Sequence, residues 1–233
     1  MRLLSLNLGG RSDSYGAWPE RATRIANLIG DERIDVLVAQ AAPLGDDGRF
    51  APDLQMLMPG HDNVAIAVPS DVEPPTAMAI VSMLDLTDVR EADLSKREGE
   101  DPFRRKLLAA RLPDVGLTIV DAHFSWVDDQ AEDNVREALA FVASIKGDVL
   151  LVGDMNQPQG GMVMQMIADA GFEDCWIGLG SGDGYTFESG KPWGRIDYVW
   201  ERSAKPRVMA IRTAGGAGEQ ALSDHLGLIV DVA

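Results

Sequence analysis

Cysteine is almost absent from this 233-residue chain, where Cys175 stands alone. That excludes an intramolecular disulfide and any multi-cysteine zinc site, and leaves a small core residue as the expected role. Histidine is nearly as scarce, at three residues, so the position of each is informative. No apolar run approaches the length of a membrane span, and no membrane-crossing segment is expected. Basic side chains are also few: 21 Lys and Arg against 37 Asp and Glu leave a net charge of −16. This balance argues against a broad electrostatic grip on DNA or RNA, whose phosphates are neutralised by cations. A small or locally held phosphoester fits more easily. Missing too are a serine nucleophile elbow, a Gly-Lys phosphate loop and a Cys-His pair, which removes the common routes of covalent catalysis and nucleotide cradling.

What is present is an ordinary globular composition, 45% apolar, without linker, repeat or composition break. One domain over residues 1–233 is the expectation. Met1 leads directly into the strand-like Leu3-Leu4-Ser5-Leu6-Asn7-Leu8 with no leader pattern, so a cytoplasmic monomer is expected. Pro19 suits a first helical turn, and Ala22, Ile25, Ala26 and Ile29 share one face before Gly30 and Asp31 close the helix. Further helices are expected over about 132–146 and 161–170. Strands are expected at Asp35–Gln40, 63–68, 77–84, 107–112, 117–123, 149–156, 194–200, 207–212 and 226–232. His61 sits in a Pro-Gly-His-Asp turn and reads as a surface residue. Mixed strands with a few helices predict an α/β fold of two mixed sheets packed face to face, helices outside.

The chemistry is concentrated at strand ends. Asn7 ends the first strand, His123 ends Leu117-Thr118-Ile119-Val120-Asp121-Ala122, and Asp154 and Asn156 end Val149-Leu150-Leu151-Val152-Gly153. Asp224 and His225 immediately precede the last strand, and Asp197 lies within Arg195-Ile196-Asp197-Tyr198-Val199-Trp200. Each could be a turn cap taken singly. Together they form an inventory of amides, carboxylates and imidazoles suited to metal-assisted attack of water. Carboxylates suit a hard cation such as Mg²⁺ or Mn²⁺. Asp197, flanked by apolar residues, needs a cation or imidazole close by. Arg104, Arg105 and Lys106, with Arg97 and Arg111 nearby, form one basic cluster interrupted by Glu98, Glu100 and Asp101. It reads either as a solvated loop or as a substrate contact. Loops 9–18, 88–105 and 178–193 are the expected cleft rims, with Trp18, Trp126, Phe187 and Trp193 available to stack on a base or sugar.

The ordered set Leu6-Asn7, Asp35–Gln40, Asp121-Ala122-His123-Phe124, Gly153-Asp154-Met155-Asn156, Arg195-Ile196-Asp197-Tyr198 and Ser223-Asp224-His225 resembles the endonuclease/exonuclease/phosphatase superfamily. The match runs in order over essentially the whole chain. The resemblance implies a four-layer α/β sandwich and a metal-dependent phosphodiesterase or nuclease. In that scheme Asp154 orients or deprotonates water and Asn156 positions it or the phosphate. His225, held by Asp197, and His123 contact the phosphate, and Asn7 and Asp224 lie at or near the metal. Beside that scheme, the charge of Arg104 and Arg105 and the ring of Trp193 make them the candidate contacts to a phosphoester substrate, DNA or RNA included.

One departure is central. The family places a metal-binding Glu directly after the Gln of the second strand, and here Gln40 is followed by Ala41. Three accounts stand: an inactivating Glu-to-Ala change, a replacement carboxylate such as Asp46 or Asp47, or a chain that no longer hydrolyses phosphoesters. The alternatives to a nuclease are thus a non-catalytic binding or scaffold protein, or a phosphomonoesterase of a small metabolite or lipid headgroup.

Overall fold

The computed structural model of the protein describes residues 1–70, 75–99, 101–216 and 218–233, with Glu219 described by its backbone alone. Along the chain run β1 (Arg2–Asn7), α1 (Trp18–Glu32), β2 (Val36–Pro43), α2 (Pro52–Gln55), β3 (Asn63–Ala67), β4 (Thr76–Ser82), β5 (Thr87–Asp93), β6 (Lys106–Leu112) and β7 (Leu117–His123). Then follow α3 (Asp128–Ala143), β8 (Asp148–Asp154), α4 (Met162–Asp169), β9 (Glu173–Asp174), β10 (Asp197–Arg202), β11 (Val208–Ala214) and β12 (Gly227–Val232). They build two six-stranded sheets, ordered β11-β12-β1-β2-β4-β3 and β5-β6-β7-β8-β10-β9. Each sheet is mixed, with one parallel pair near its centre: β1 with β2, and β7 with β8.

The apolar runs of β1, β2, β7 and β8 are continuous because both faces of those strands are covered. Val36, Val38, Ile119, Leu150 and Val152 point between the sheets and make the central core. The alternate residues point outward: Leu4 and Leu37 onto Ile25 and Ile29 of α1, and Val120 and Leu151 onto Val135 and Val142 of α3 and Ile167 of α4. The result is helix, sheet, sheet, helix, as the sequence predicts. Truncating one of these fully buried aliphatics to Ala costs about 2–5 kcal/mol.

Several local expectations are corrected. α1 continues through Gly30 and Asp31 to Glu32 and is capped by Arg33, which takes a left-handed φ of 52°. α3 begins at Asp128, four residues early, with Asp128 and Asp129 in its first turn, where the helix dipole favours acids. It ends at Ala143 rather than Lys146. Residues 88–93, expected as rim loop, belong to the edge strand β5, whose largely exposed polar residues carry no alternation to betray it. His61 is buried, its Nε2 2.9 Å from the Ile34 carbonyl oxygen. Cys175 sits in the central core as expected, and burial pushes its thiol pKa up.

Candidate active site

The registers of the two sheets bring the polar strand ends to one place. In the first sheet Asn7 pairs with Gln40 at the C-terminal ends of the parallel β1 and β2. In the second, His123 pairs with Asp154 at the C-terminal ends of β7 and β8. The antiparallel neighbours arrive from the other direction, so their N-terminal ends are at the same edge. Asp197, first residue of β10, lies opposite Asp154, and His225 precedes β12 beside β1. The Ser223 hydroxyl fastens the last turn, donating to the Asn7 carbonyl (2.6 Å) and accepting from the His225 amide (3.0 Å).

At the centre is Asp154, buried among polar neighbours. Its Oδ2 accepts from Asn7 Nδ2 at 2.8 Å and lies 3.4 Å from His123 Nε2 and 3.7 Å from His225 Nε2. Its Oδ1 accepts the Asn156 amide at 2.9 Å. Asn156 has left the strand, with φ of 50°, and its Nδ2 donates to the Phe124 carbonyl. Behind His225, Nδ1 lies 2.9 Å from Asp197 Oδ2, so the buried Asp197 has the imidazole its setting demands.

Charge follows from this packing. Burial raises the Asp154 pKa, His225 lowers it and Asp197 raises it again, leaving it at about 6. For His225, burial would lower the pKa, but Asp197 and Asp154 outweigh that and raise it to about 10. His123 is held well below its ordinary value by burial, then by Arg105 and His225. Near neutral pH the site therefore holds an anionic Asp154, a cationic His225 and a neutral His123.

A cleft of about 540 Å³ opens over these groups. Arg11 and Ser12 of the first rim, Arg104 to Lys106, and Trp126 line it. Arg105 is the organised member of the basic cluster: its guanidinium lies 5.1 Å from the Trp126 ring and 5.7 Å from Phe103. Its Nε donates to the buried Asp101, and its Nη2, 3.0 Å from the same carboxylate but poorly aligned, makes no hydrogen bond. Arg97 turns away to Asp129 and Asp133. Arg111 lies at a different surface cavity, and Glu100 is outside the described residues. Of the aromatic candidates Trp126 and Phe187 line the cleft, Trp18 is buried in the first turn of α1, and the exposed Trp193 meets Phe187 edge-on.

Ala41 lines the cleft where the β2–β4 register slips between Ala39 and Ala42, and it takes a left-handed φ of 45°. Neither Asp46 nor Asp47 lines the cleft to replace the missing carboxylate, and Asp47 pairs with Arg49.

A family model described as Endonuclease/Exonuclease/phosphatase family matches residues 4–225. The chain belongs to that family. No curated protein sequence matches it. Its fold is shared with the endonuclease/exonuclease/phosphatase of Bacteroides vulgatus (TM-score 0.79, 17% identity, covering 100% of this chain and 98% of that one). It is shared also with the Bacteroides thetaiotaomicron mannosyl-6-phosphatase (0.78, 16%, 100% and 99%) and a humanized D. rerio TDP2 (0.69, 16%, 99% and 97%).

This endonuclease/exonuclease/phosphatase fold is typically metal-dependent, and the donors here can be tested against a cation. Asp154, Asp197 and His225 offer ligand atoms within 4.8 Å of one another, and Asn7 and Asp224 also line the cleft. Gly9, at φ of 63°, leaves the Asp224 carboxylate its room: a Cβ there would lie 3.1 Å from Oδ1. Three carboxylates, an amide and an imidazole are donors that could hold a metal ion. At position 41 Ala41 brings only a methyl group to the cleft lining. Sequence reasoning missed the residues that hold the rim. Arg21 is a buried cation whose guanidinium donates to the carbonyls of Leu8, Gly10 and Leu222. Only its place on the apolar side of α1 could have signalled this.

Proposed function

We propose that this chain is a metal-dependent phosphoester hydrolase acting on phosphodiesters, nucleic acid included, with a metal site weakened at Ala41. The observation that carries the reading is the convergence of Asn7, His123 and His225 on one Asp154 oxygen. An ionised, desolvated carboxylate held by a donor and two imidazoles is placed to take a proton from water. Protonated His225, braced by Asp197, donates from Nε2 to a phosphate oxygen and stabilises the charge that develops there. Neutral His123 faces the same phosphate, and Asn156 steadies the Asp154 carboxylate from its far side. Arg104 and Arg105 supply a local cationic wall, which allows a phosphoester to bind a chain of net charge −16. Asn7 and Asp224 would hold Mg²⁺ or Mn²⁺, which supplies Lewis-acid polarisation of the phosphoryl oxygens. Trp193, at the outer edge beyond Phe187, would touch only a substrate long enough to leave the cleft.

The test is hydrolysis of bis(p-nitrophenyl) phosphate and plasmid DNA with Mg²⁺ or Mn²⁺. Turnover that Asp154→Ala abolishes is the expected result. No turnover by the wild type or by Ala41→Glu overturns it in favour of a phosphate-binding scaffold, the reading that the missing carboxylate at Ala41 favours. Hydrolysis of p-nitrophenyl phosphate alone would instead identify a phosphomonoesterase.

A further inference from the structure

Beneath the catalytic groups, Gln40 of β2 and Asp121 of β7 meet across the two sheets. Both residues are fully buried, and Gln40 Nε2 donates to Asp121 Oδ1 at 2.7 Å. Each then keeps one polar atom with no partner among the described residues: Gln40 Oε1 and Asp121 Oδ2. If Asp121 were ionised, both orphans would be acceptors, and neither could serve the other. Exchanging the oxygen and nitrogen of the Gln40 amide does not help, because it only moves the mismatch, setting oxygen against oxygen at Asp121 Oδ1 where the bond now stands. A single proton resolves both. We propose that Asp121 is a neutral carboxylic acid that donates its proton to Gln40 Oε1, closing a two-hydrogen-bond acid–amide pair that joins the sheets under the cleft.

The surroundings agree. Burial pushes the Asp121 carboxyl well above its ordinary pKa; Gln40 opposes that, the Asp154 charge adds to it, and the Ala122 amide opposes it weakly. Facing Asp121 are Gln40 from β2, Asp154 from β8 and the backbone of Gly153, with no Lys or Arg among the groups that act on it. β8 packs closely on the bonded oxygen, since a Cβ at Gly153 would lie 3.0 Å from Asp121 Oδ1 and 2.2 Å from the Ala122 oxygen.

The pair acts through its neighbours, so Asp121 is a positioning residue. Gln40 directly precedes Ala41 at the strand slip, and Asp121 lies two residues before His123 on the same side of β7. Joining them sets the height of one sheet's edge against the other's. Because it is neutral, the pair adds no second negative charge below Asp154, whose ionised form the proposed hydrolysis needs. That last consequence rests on the hydrolytic reading, whereas the proton does not.

Asp121→Asn decides the matter, because Asn is the amide isostere of a protonated Asp and can make both hydrogen bonds with Gln40. Thermal unfolding of Asp121→Asn should match the wild type, and kcat should stay within about threefold. Asp121→Leu, which fills the space without the bonds, should lose stability and at least tenfold in kcat. In the infrared, the wild type should show the carbonyl stretch of a protonated acid that Asp121→Asn lacks. An unchanged spectrum, or an Asp121→Asn protein as damaged as Asp121→Leu, overturns the proposal. If the wild type proves inert as a hydrolase, unfolding and the infrared band still decide on the proton.

Discussion

Asn7 Nδ2 and Asp154 Oδ2 lie 2.8 Å apart although 147 residues separate them, and the bond crosses from one sheet to the other. It ties Asp154, the proposed base, to a residue that contributes no charge. Asp154→Ala should lower kcat by about 10²–10⁴-fold, the usual worth of a positioned base. Asn7→Ala should cost about 10–100-fold, with circular dichroism and thermal unfolding confirming that the fold survives.

The pH profile follows from two raised pKa values. Asp154 must be ionised, so kcat/KM should rise as pH increases through about 6. His225 must be protonated, so the rate should fall as pH passes about 10. Stability carries the same sign for His225. Its pKa is raised on folding, so the stabilisation is complete below the unfolded value of about 6.5 and is lost as pH rises through the folded one. Asp197→Asn removes a charge that raises the His225 pKa, and the alkaline fall should move to lower pH. A profile unmoved by that change would contradict the pairing.

Placing a carboxylate at position 41 should strengthen cation binding. Ala41→Glu should raise the Mg²⁺- or Mn²⁺-dependent rate at least about 10–100-fold and increase the thermal shift produced by the metal. Both Ala and Glu meet the same penalty at a φ of 45°, so no new backbone strain accompanies the change. Isothermal titration with Mn²⁺ checks the binding separately from turnover.

The wall of the cleft depends on a buried ion pair. Asp101 is fully enclosed and Arg105 nearly so. Removing one partner leaves an uncompensated charge, and Asp101→Ala should cost about 3–5 kcal/mol in chemical denaturation. KM should rise as the guanidinium loses its place between Phe103 and Trp126.

Gly153 should tolerate no side chain. Its φ is 134°, and a Cβ would approach the Ala122 oxygen to 2.2 Å. Gly153→Ala should destabilise by on the order of 3 kcal/mol or more, combining backbone strain with overpacking, as read from urea unfolding.

Much of this was legible in the order of residues alone. Continuous apolar runs such as Val149–Val152 announce strands covered on both faces, and a polar residue ending such a run must lie where cover stops. That argument places Asn7, His123 and Asp154 at sheet edges without coordinates. It fails for β5, whose polar faces leave no pattern, and for His61, whose buried partner is a backbone carbonyl that no sequence pattern encodes.

The sequence by itself determined the layers and the inventory of reactive groups, because side-chain periodicity dictates which faces must be buried and where they end. Tertiary structure alone decided the site. Strand order and register made five strand ends from two sheets coincide, put the Asp197 carboxylate on His225, and brought Asn7 to Asp154. The same packing set Gln40 against Asp121 with two atoms left to share a proton, and left Asp46 and Asp47 away from the cleft. These are distances between residues far apart in the chain, and only the packing of one sheet on the other determines them.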